Sequence, residues 1–290
     1  MERSLLNRRE FLGASSAALG LGGASSLSAQ GRDVPLGLQL YSVRDHFEED
    51  EFGTLKAVAA MGYPLVEFYD RYFSWTPGYA TEVRALMDDL GLECRSTHNQ
   101  LPFFKELDKA IELNQILGAK NIFLAWIPPT GTLDADGWKK LVVELSDISE
   151  RLKPLGMATG FHNHQFEWRT LEGLGNMRVM DFLAAHTPPE FVLQFDVGTC
   201  VQMDADPVGW IKANPGRIKS VHCKDWGAGD GPNRGYRVLF GEGDAPWKEI
   251  FAAAESTGGV EYYLMEQEGS RFDSFETARK CLGTYREMRA

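Results

Sequence analysis

The chain has 290 residues, 43% of them hydrophobic, which is enough for one large buried core. Its 30 Lys and Arg stand against 41 Asp and Glu, a net charge of −11, and an acidic surface of that size repels phosphate backbones and excludes nucleic acid as an expected partner. Cys94, Cys200, Cys223 and Cys281 form no CxxC pair, so they read as buried thiols rather than a redox or zinc motif.

The N-terminal segment, residues 1–30, stands apart. Asn7-Arg8-Arg9-Glu10-Phe11-Leu12 is followed by a weakly apolar stretch rich in Gly, Ala and Ser, and then by the small residues of Leu27-Ser28-Ala29. This resembles a twin-arginine export signal, and it predicts delivery to the periplasm. The stretch is too short and too polar for stable membrane insertion, which needs about 20 apolar residues. Cleavage after Ala29 removes three arginines and two glutamates and leaves a charge of −12. Residues 31–290 are then expected to form one domain.

Eight short apolar runs follow in that domain. They are Leu36–Ser42, Leu65–Tyr69, Glu93–His98, Asn121–Trp126, Ala158–His164, Phe191–Asp196, Ile218–Cys223 and Glu261–Glu266. Between them, Thr54–Met61, Thr81–Leu90, Phe104–Leu117, Gly137–Leu152 and Trp247–Ser256 read as amphipathic helices. Gly62, Gly91, Gly118, Gly156 and Gly258 mark helix stops. Eight alternating strand–helix units predict a closed parallel (β/α)8 barrel, a TIM barrel. An open doubly wound sheet is disfavoured, because no GxGxxG follows the first strand. Asp225–Gly243, rich in Gly and Asp, is a candidate lid after the seventh strand.

The runs end in side chains that carry chemistry: His98, His162, His164, Asp196, His222 and Glu266. Strand ends of a barrel converge on one face, where catalytic residues sit. Asp196 at the end of an apolar run needs a partner or a cation. His222 and Lys224 share a strand face, as do His162 with His164 and Glu266 with Glu268. Asn163 points away toward a neighbouring strand, and Glu167 is placed to orient an imidazole. Lys224 is a candidate to hold a substrate oxygen or to donate a proton. Gln39, Tyr41, Glu67, His98 and Trp126 ring the rest of the mouth and suit a sugar-sized pocket.

From residue 35 to 288 the chain resembles the xylose isomerase-like TIM barrel superfamily, in its sugar isomerase/epimerase branch. The resemblance is carried by GLQLYSVRD at 37–45, GYPLVEF at 62–68, STHNQL at 96–101, FHNHQFEW at 161–168, LQFDVGTC at 193–200, the run from Asp206 to Asp225, FGEGDAPWKEIF at 240–251 and YYLMEQE at 262–268. It implies a divalent ion (manganese, magnesium, zinc or cobalt) held by His162, Asp196, His222 and Glu266. It also implies proton abstraction next to a carbonyl, with the enediolate stabilised by the ion, by Glu266 or one of His162 and His164, with Lys224 assisting. Arg237 is implied as a substrate anchor, beside Tyr41, Glu67, His98, Trp126 and Glu268. Many relatives carry Glu where this chain has His162, which brings the chain nearer to inosose-dehydratase-like members. The expected function is a sugar or keto-sugar isomerase/epimerase. The alternatives are an inosose-dehydratase-like or 3-keto-glycoside dehydratase or lyase, and a carbohydrate-binding barrel without catalysis. The expected partner is a small sugar or keto-sugar, and a homo-oligomer is compatible with the sequence.

Overall fold

A computed structural model describes residues 34–229, 231 and 233–290, so residues 1–30, the expected export segment, lie outside the described residues. The strands are β1 (Leu36–Gln39), β2 (Leu65–Phe68), β3 (Glu93–Gln100), β4 (Asn121–Trp126), β5 (Ala158–His162), β6 (Thr170–Leu171), β7 (Met177–Arg178), β8 (Val192–Asp196), β9 (Ser220–Cys223) and β10 (Tyr262–Met265). β6 and β7 form a small antiparallel pair, and the other eight close a parallel barrel in the order β1-β2-β3-β4-β5-β8-β9-β10. Pairing of Leu36, Gly37 and Leu38 with Tyr263, Leu264 and Met265 closes the ring. The expected (β/α)8 barrel is therefore the fold.

Most barrel strands are short and buried on both faces, so they read as continuous apolar runs rather than alternating ones; β3 is the exception, polar along most of its length. The helices are one-sided. Ala135–Leu152 shows why: Trp138, Leu141, Val142, Leu145, Ile148 and Leu152 recur at helical spacing and are all buried. Asp134 caps its start by accepting from the Gly137 N–H. Truncating a fully buried leucine in such a stripe, for example Leu145, costs about 2–5 kcal/mol.

Four of the five expected glycine stops are left-handed caps, as at Gly62 with φ 96°. The fifth is displaced to Gly259, with φ 81°, because Ala254–Gly258 winds into a wider π turn. β1 stops at Gln39, and Leu40–Val43 forms a 3-10 turn instead of the strand expected through Ser42. β3 runs on to Gln100. All four cysteines are free and buried. No helix among the described residues is long and apolar enough to cross a membrane.

Candidate active site

Four consecutive staves of the barrel, β5, β8, β9 and β10, each bring one buried side chain to the same place. These are His162, Asp196, His222 and Glu266, whose ligand-capable atoms lie within 4.8 Å of one another. One carboxylate oxygen of Asp196, Oδ1, accepts from the Thr199 N–H at 2.9 Å and caps the helix Val197–Gln202. The other, Oδ2, accepts no hydrogen bond, and His162 Nδ1 is also without a partner. Oδ2 has the Lys224 ammonium 3.3 Å away but no hydrogen bond; a buried polar atom without one costs roughly 1–3 kcal/mol, so both atoms can take a further partner. Two imidazoles and two carboxylates are a donor set that suits a first-row divalent ion. Asn163 ties two of these staves together. Its Nδ2 donates to the Asp196 carbonyl at 3.1 Å and to Thr199 Oγ1 at 2.7 Å, and its Oδ1 accepts from the Asp196 N–H at 2.9 Å.

Beneath the four lies a second polar tier centred on Glu67. Its carboxylate accepts from Gln39 Nε2 at 2.7 Å, from Gln194 Nε2 at 2.8 Å and from the Ser96 hydroxyl. It also lies 2.9 Å from His222 Nε2 and 3.0 Å from His98 Nε2. Glu67, expected among the substrate contacts, does not line the cavity above the cluster. It is completely buried inside the barrel, one tier below the mouth. Burial pushes its carboxyl up, but the flanking His98 and His222 outweigh this and hold it well below the ordinary carboxylate range. The other nitrogen of His222, Nδ1, meets Glu266 Oε2 at 2.6 Å. Burial alone would lower the His222 pKa, yet Glu67 and Glu266 push it up to about 10. With Nε2 committed to Glu67, Nδ1 is the nitrogen free to exchange its contact with Glu266 for an ion, the arrangement in which a carboxylate fixes a ligand histidine from behind.

Lys224 follows β9 and is 2% exposed. Its ammonium lies 2.6 Å from Glu268, 3.3 Å from Asp196 Oδ2 and 4.7 Å from the centre of the Tyr236 ring. Gly198 makes room for it, since a Cβ there would lie 2.9 Å from the Lys224 carbonyl oxygen. Burial would drain its charge, but Asp196, Glu266 and Glu268 reverse that and hold its pKa well above the ordinary lysine value. His162 and His164 are the opposite case. Burial, reinforced by neighbouring imidazoles and Lys224, lowers both, His164 to about 3, so they present neutral rings.

A cavity of about 420 Å³ opens over these groups. His98, His162, His164, Glu266, Glu268, Tyr41 and Trp126 all line it, as expected. Trp126 meets His164 edge to face at 5.6 Å, and Tyr41 meets Tyr69 likewise at 5.4 Å. Arg237 does not line it. It is exposed on the loop after β9, while its neighbour Tyr236 turns inward over Lys224. Sequence reading missed Asp70, Gln100 and Gln165 on the wall, and Ser96 and Gln194 in the tier below. The last two sit two residues before His98 and Asp196, so strand alternation carried a signal for them.

Glu167 does not orient an imidazole. Its carboxylate accepts the backbone N–H of His164 at 2.7 Å, and its other oxygen has no partner. Burial raises its pKa from 4.5 to about 8. A carboxyl raised in the folded state stabilises fully below its unfolded pKa and loses that contribution as pH rises toward 8. Glu167→Gln keeps the acceptor and removes the charge. It is expected to be more stable than the parent at pH 8 by up to a few kcal/mol, with little difference at pH 4.5. Urea unfolding across this window reads the effect, and parallel curves for the two proteins would contradict it.

The family model described as xylose isomerase-like TIM barrel matches residues 55–285. An inosose dehydratase of Lacticaseibacillus casei is 26% identical over 162 residues, covering 50% of this chain and 53% of that protein. The chain thus matches about half the length of this curated relative. A sugar phosphate isomerase/epimerase from Parabacteroides distasonis ATCC 8503 superposes with a TM-score of 0.69 at 22% identity, covering 91% of this chain and 97% of that one. D-psicose 3-epimerase from Clostridium cellulolyticum H10 superposes with a TM-score of 0.65 at 16% identity, covering 87% and 98%. At these identities the superpositions establish a shared fold.

Proposed function

The chain belongs to the xylose isomerase-like TIM barrel family, and from that premise we propose that it moves a proton on a carbon next to a carbonyl of a sugar or keto-sugar, as an isomerase or epimerase. The observation that carries this reading is the meeting of His162, Asp196, His222 and Glu266, two of which, His162 and Glu266, line a sugar-sized cavity. These four would hold a divalent ion, which would supply Lewis-acid stabilisation to a developing oxyanion.

The chain's own groups divide the remaining work. Glu266 is the base. Burial pushes its carboxyl up, but Lys224 and His222 win and keep it ionised. Lys224 is a fixed cation rather than a proton donor, since its carboxylate neighbours hold its proton tightly. It keeps Asp196 and Glu268 in place and favours negative charge on a bound oxygen. His164 and His162, both neutral, face the substrate from the β5 side, with Trp126 and Tyr41 as apolar faces for a sugar ring.

A second reading, dehydratase or lyase, is favoured by His162. With an imidazole at this position, Glu266 is the carboxylate that remains at the ion site together with Asp196. A site with one well-placed base suits elimination as well as reprotonation, and the matched inosose dehydratase agrees with it. The two readings differ in product mass. Metal-loaded protein given a panel of keto-sugars should yield a product of unchanged mass if the isomerase reading holds. Loss of water or of a leaving group establishes the second reading. Recovery of every substrate unchanged, with no exchange of its hydrogens, would sink both.

A further inference from the structure

The loop after β9 was a candidate lid, yet it is anchored on a carboxylate. Asp225 is 1% exposed, directly after Lys224. It accepts the N–H groups of Trp226 at 2.9 Å, Gly241 at 2.9 Å, Gly243 at 3.1 Å and Ala245 at 3.4 Å, and the indole N–H of Trp247 at 2.9 Å. Gly243 is needed for this, because a Cβ there would lie 2.2 Å from Asp225 Oδ1. Such a convergence of backbone N–H groups is a receptor for an anion. In β/α barrels, the loops after the seventh and eighth strands and a helix N-terminus there are where substrate phosphates are commonly held. β9 is the seventh strand of this barrel, and the receptor is filled by the chain's own Asp225. After the eighth strand, β10, the helix Ser274–Arg289 is likewise capped internally, with Asp273 accepting the Glu276 N–H at 2.9 Å.

The cavity wall has the same bias. Asp70, Glu266 and Glu268 line it, and among the described residues no Lys or Arg does. Lys224 is engaged by Glu268 and Asp196. Arg44 donates to the Tyr41 carbonyl at 2.7 Å and lies over the Tyr41 ring. Arg237 is exposed outside the wall.

We propose that the substrate is an uncharged polyhydroxy carbonyl compound and that its phosphate esters are excluded, by Asp225 filling the anion receptor and by Asp70 and Glu268 charging the mouth. This deepens the sugar-processing reading and rests on it for the carbonyl. A phosphate brought within several Å of carboxylates in a partly desolvated mouth meets repulsion large enough for a discrimination of about tenfold or more.

The test has two arms on the full, magnesium-loaded chain. The first compares kcat/KM for the most reactive neutral keto-sugar with that for its terminal phosphate ester. The ester should be at least about tenfold poorer, with the gap narrowing as salt rises. Asp70→Asn and Glu268→Gln should each narrow the gap at low salt. The second arm titrates inorganic phosphate and D-fructose 6-phosphate, followed by 31P NMR, and expects no saturable binding at millimolar concentration. An ester turned over as well as the neutral sugar, or saturable phosphate binding, would overturn the inference. So would a gap that neither variant changes. If no keto-sugar reacts at all, the sugar-processing reading fails on the first arm, while the second arm still decides whether the mouth excludes anions.

Discussion

Glu266→Gln is expected to lower the rate of proton exchange next to the substrate carbonyl by at least about 10³-fold, because a positioned base contributes roughly 10²–10⁴ and a ligand carboxylate is lost with it. The amide is nearly isosteric, so the barrel should fold normally. Its oxygen can still face the cavity but cannot take the proton. Two measurements separate the two losses. Divalent-ion affinity, read by competition with a chromogenic chelator, should fall by at least about 100-fold, since even the groups that orient ligands are worth 10–100-fold. Exchange measured at saturating metal should remain depressed, because the base is still missing. A variant that exchanges at the parent rate once saturated with metal would remove Glu266 from the role of base.

Lys224→Met is expected to produce the largest loss of stability at the site. The substitution keeps the apolar stem and deletes an ammonium held 3.3 Å from the fully buried Asp196. Removing one partner of a buried pair typically costs about 3–5 kcal/mol, because the other charge is left uncompensated. Glu268, about a third exposed, adds little to this, since water screens it. A divalent ion beside Asp196 would supply the missing positive charge. The variant, freed of the competing ammonium, should bind the ion more tightly and therefore be stabilised by added metal more than the parent is, by thermal unfolding at the same free ion concentration. Parent-like stability in metal-free protein would show that the pair contributes nothing.

Most of the architecture was legible in the sequence for one reason. In a parallel barrel each strand is a short apolar run, and a polar residue at its end stands out against it. His162, Asp196, His222 and Glu266 announce themselves this way, and they meet where the strand ends converge. Depth within the barrel was not legible. Glu67 interrupts an apolar run in the same conspicuous way, yet it is fully buried against His98 and His222. Loop direction was not legible either. Arg237 looked like an anchor, but it is exposed, and it is Tyr236 that reaches Lys224. Asp225 read as one more polar loop residue. Its role depends on donors 16 to 22 positions downstream that only the folded loop brings back.

The account stands or falls on proton transfer at the carbon beside a carbonyl. The direct measurement is solvent deuterium in the substrate and product after incubation of the metal-loaded protein with a reactive keto-sugar in D2O, read by NMR and mass spectrometry. The account predicts deuterium at that carbon, lost on chelation and restored when metal is returned. Conversion that leaves the original hydrogen on carbon, with no deuterium entering substrate or product, would contradict it, because a proton taken up by Glu266 at the open cavity should exchange with solvent.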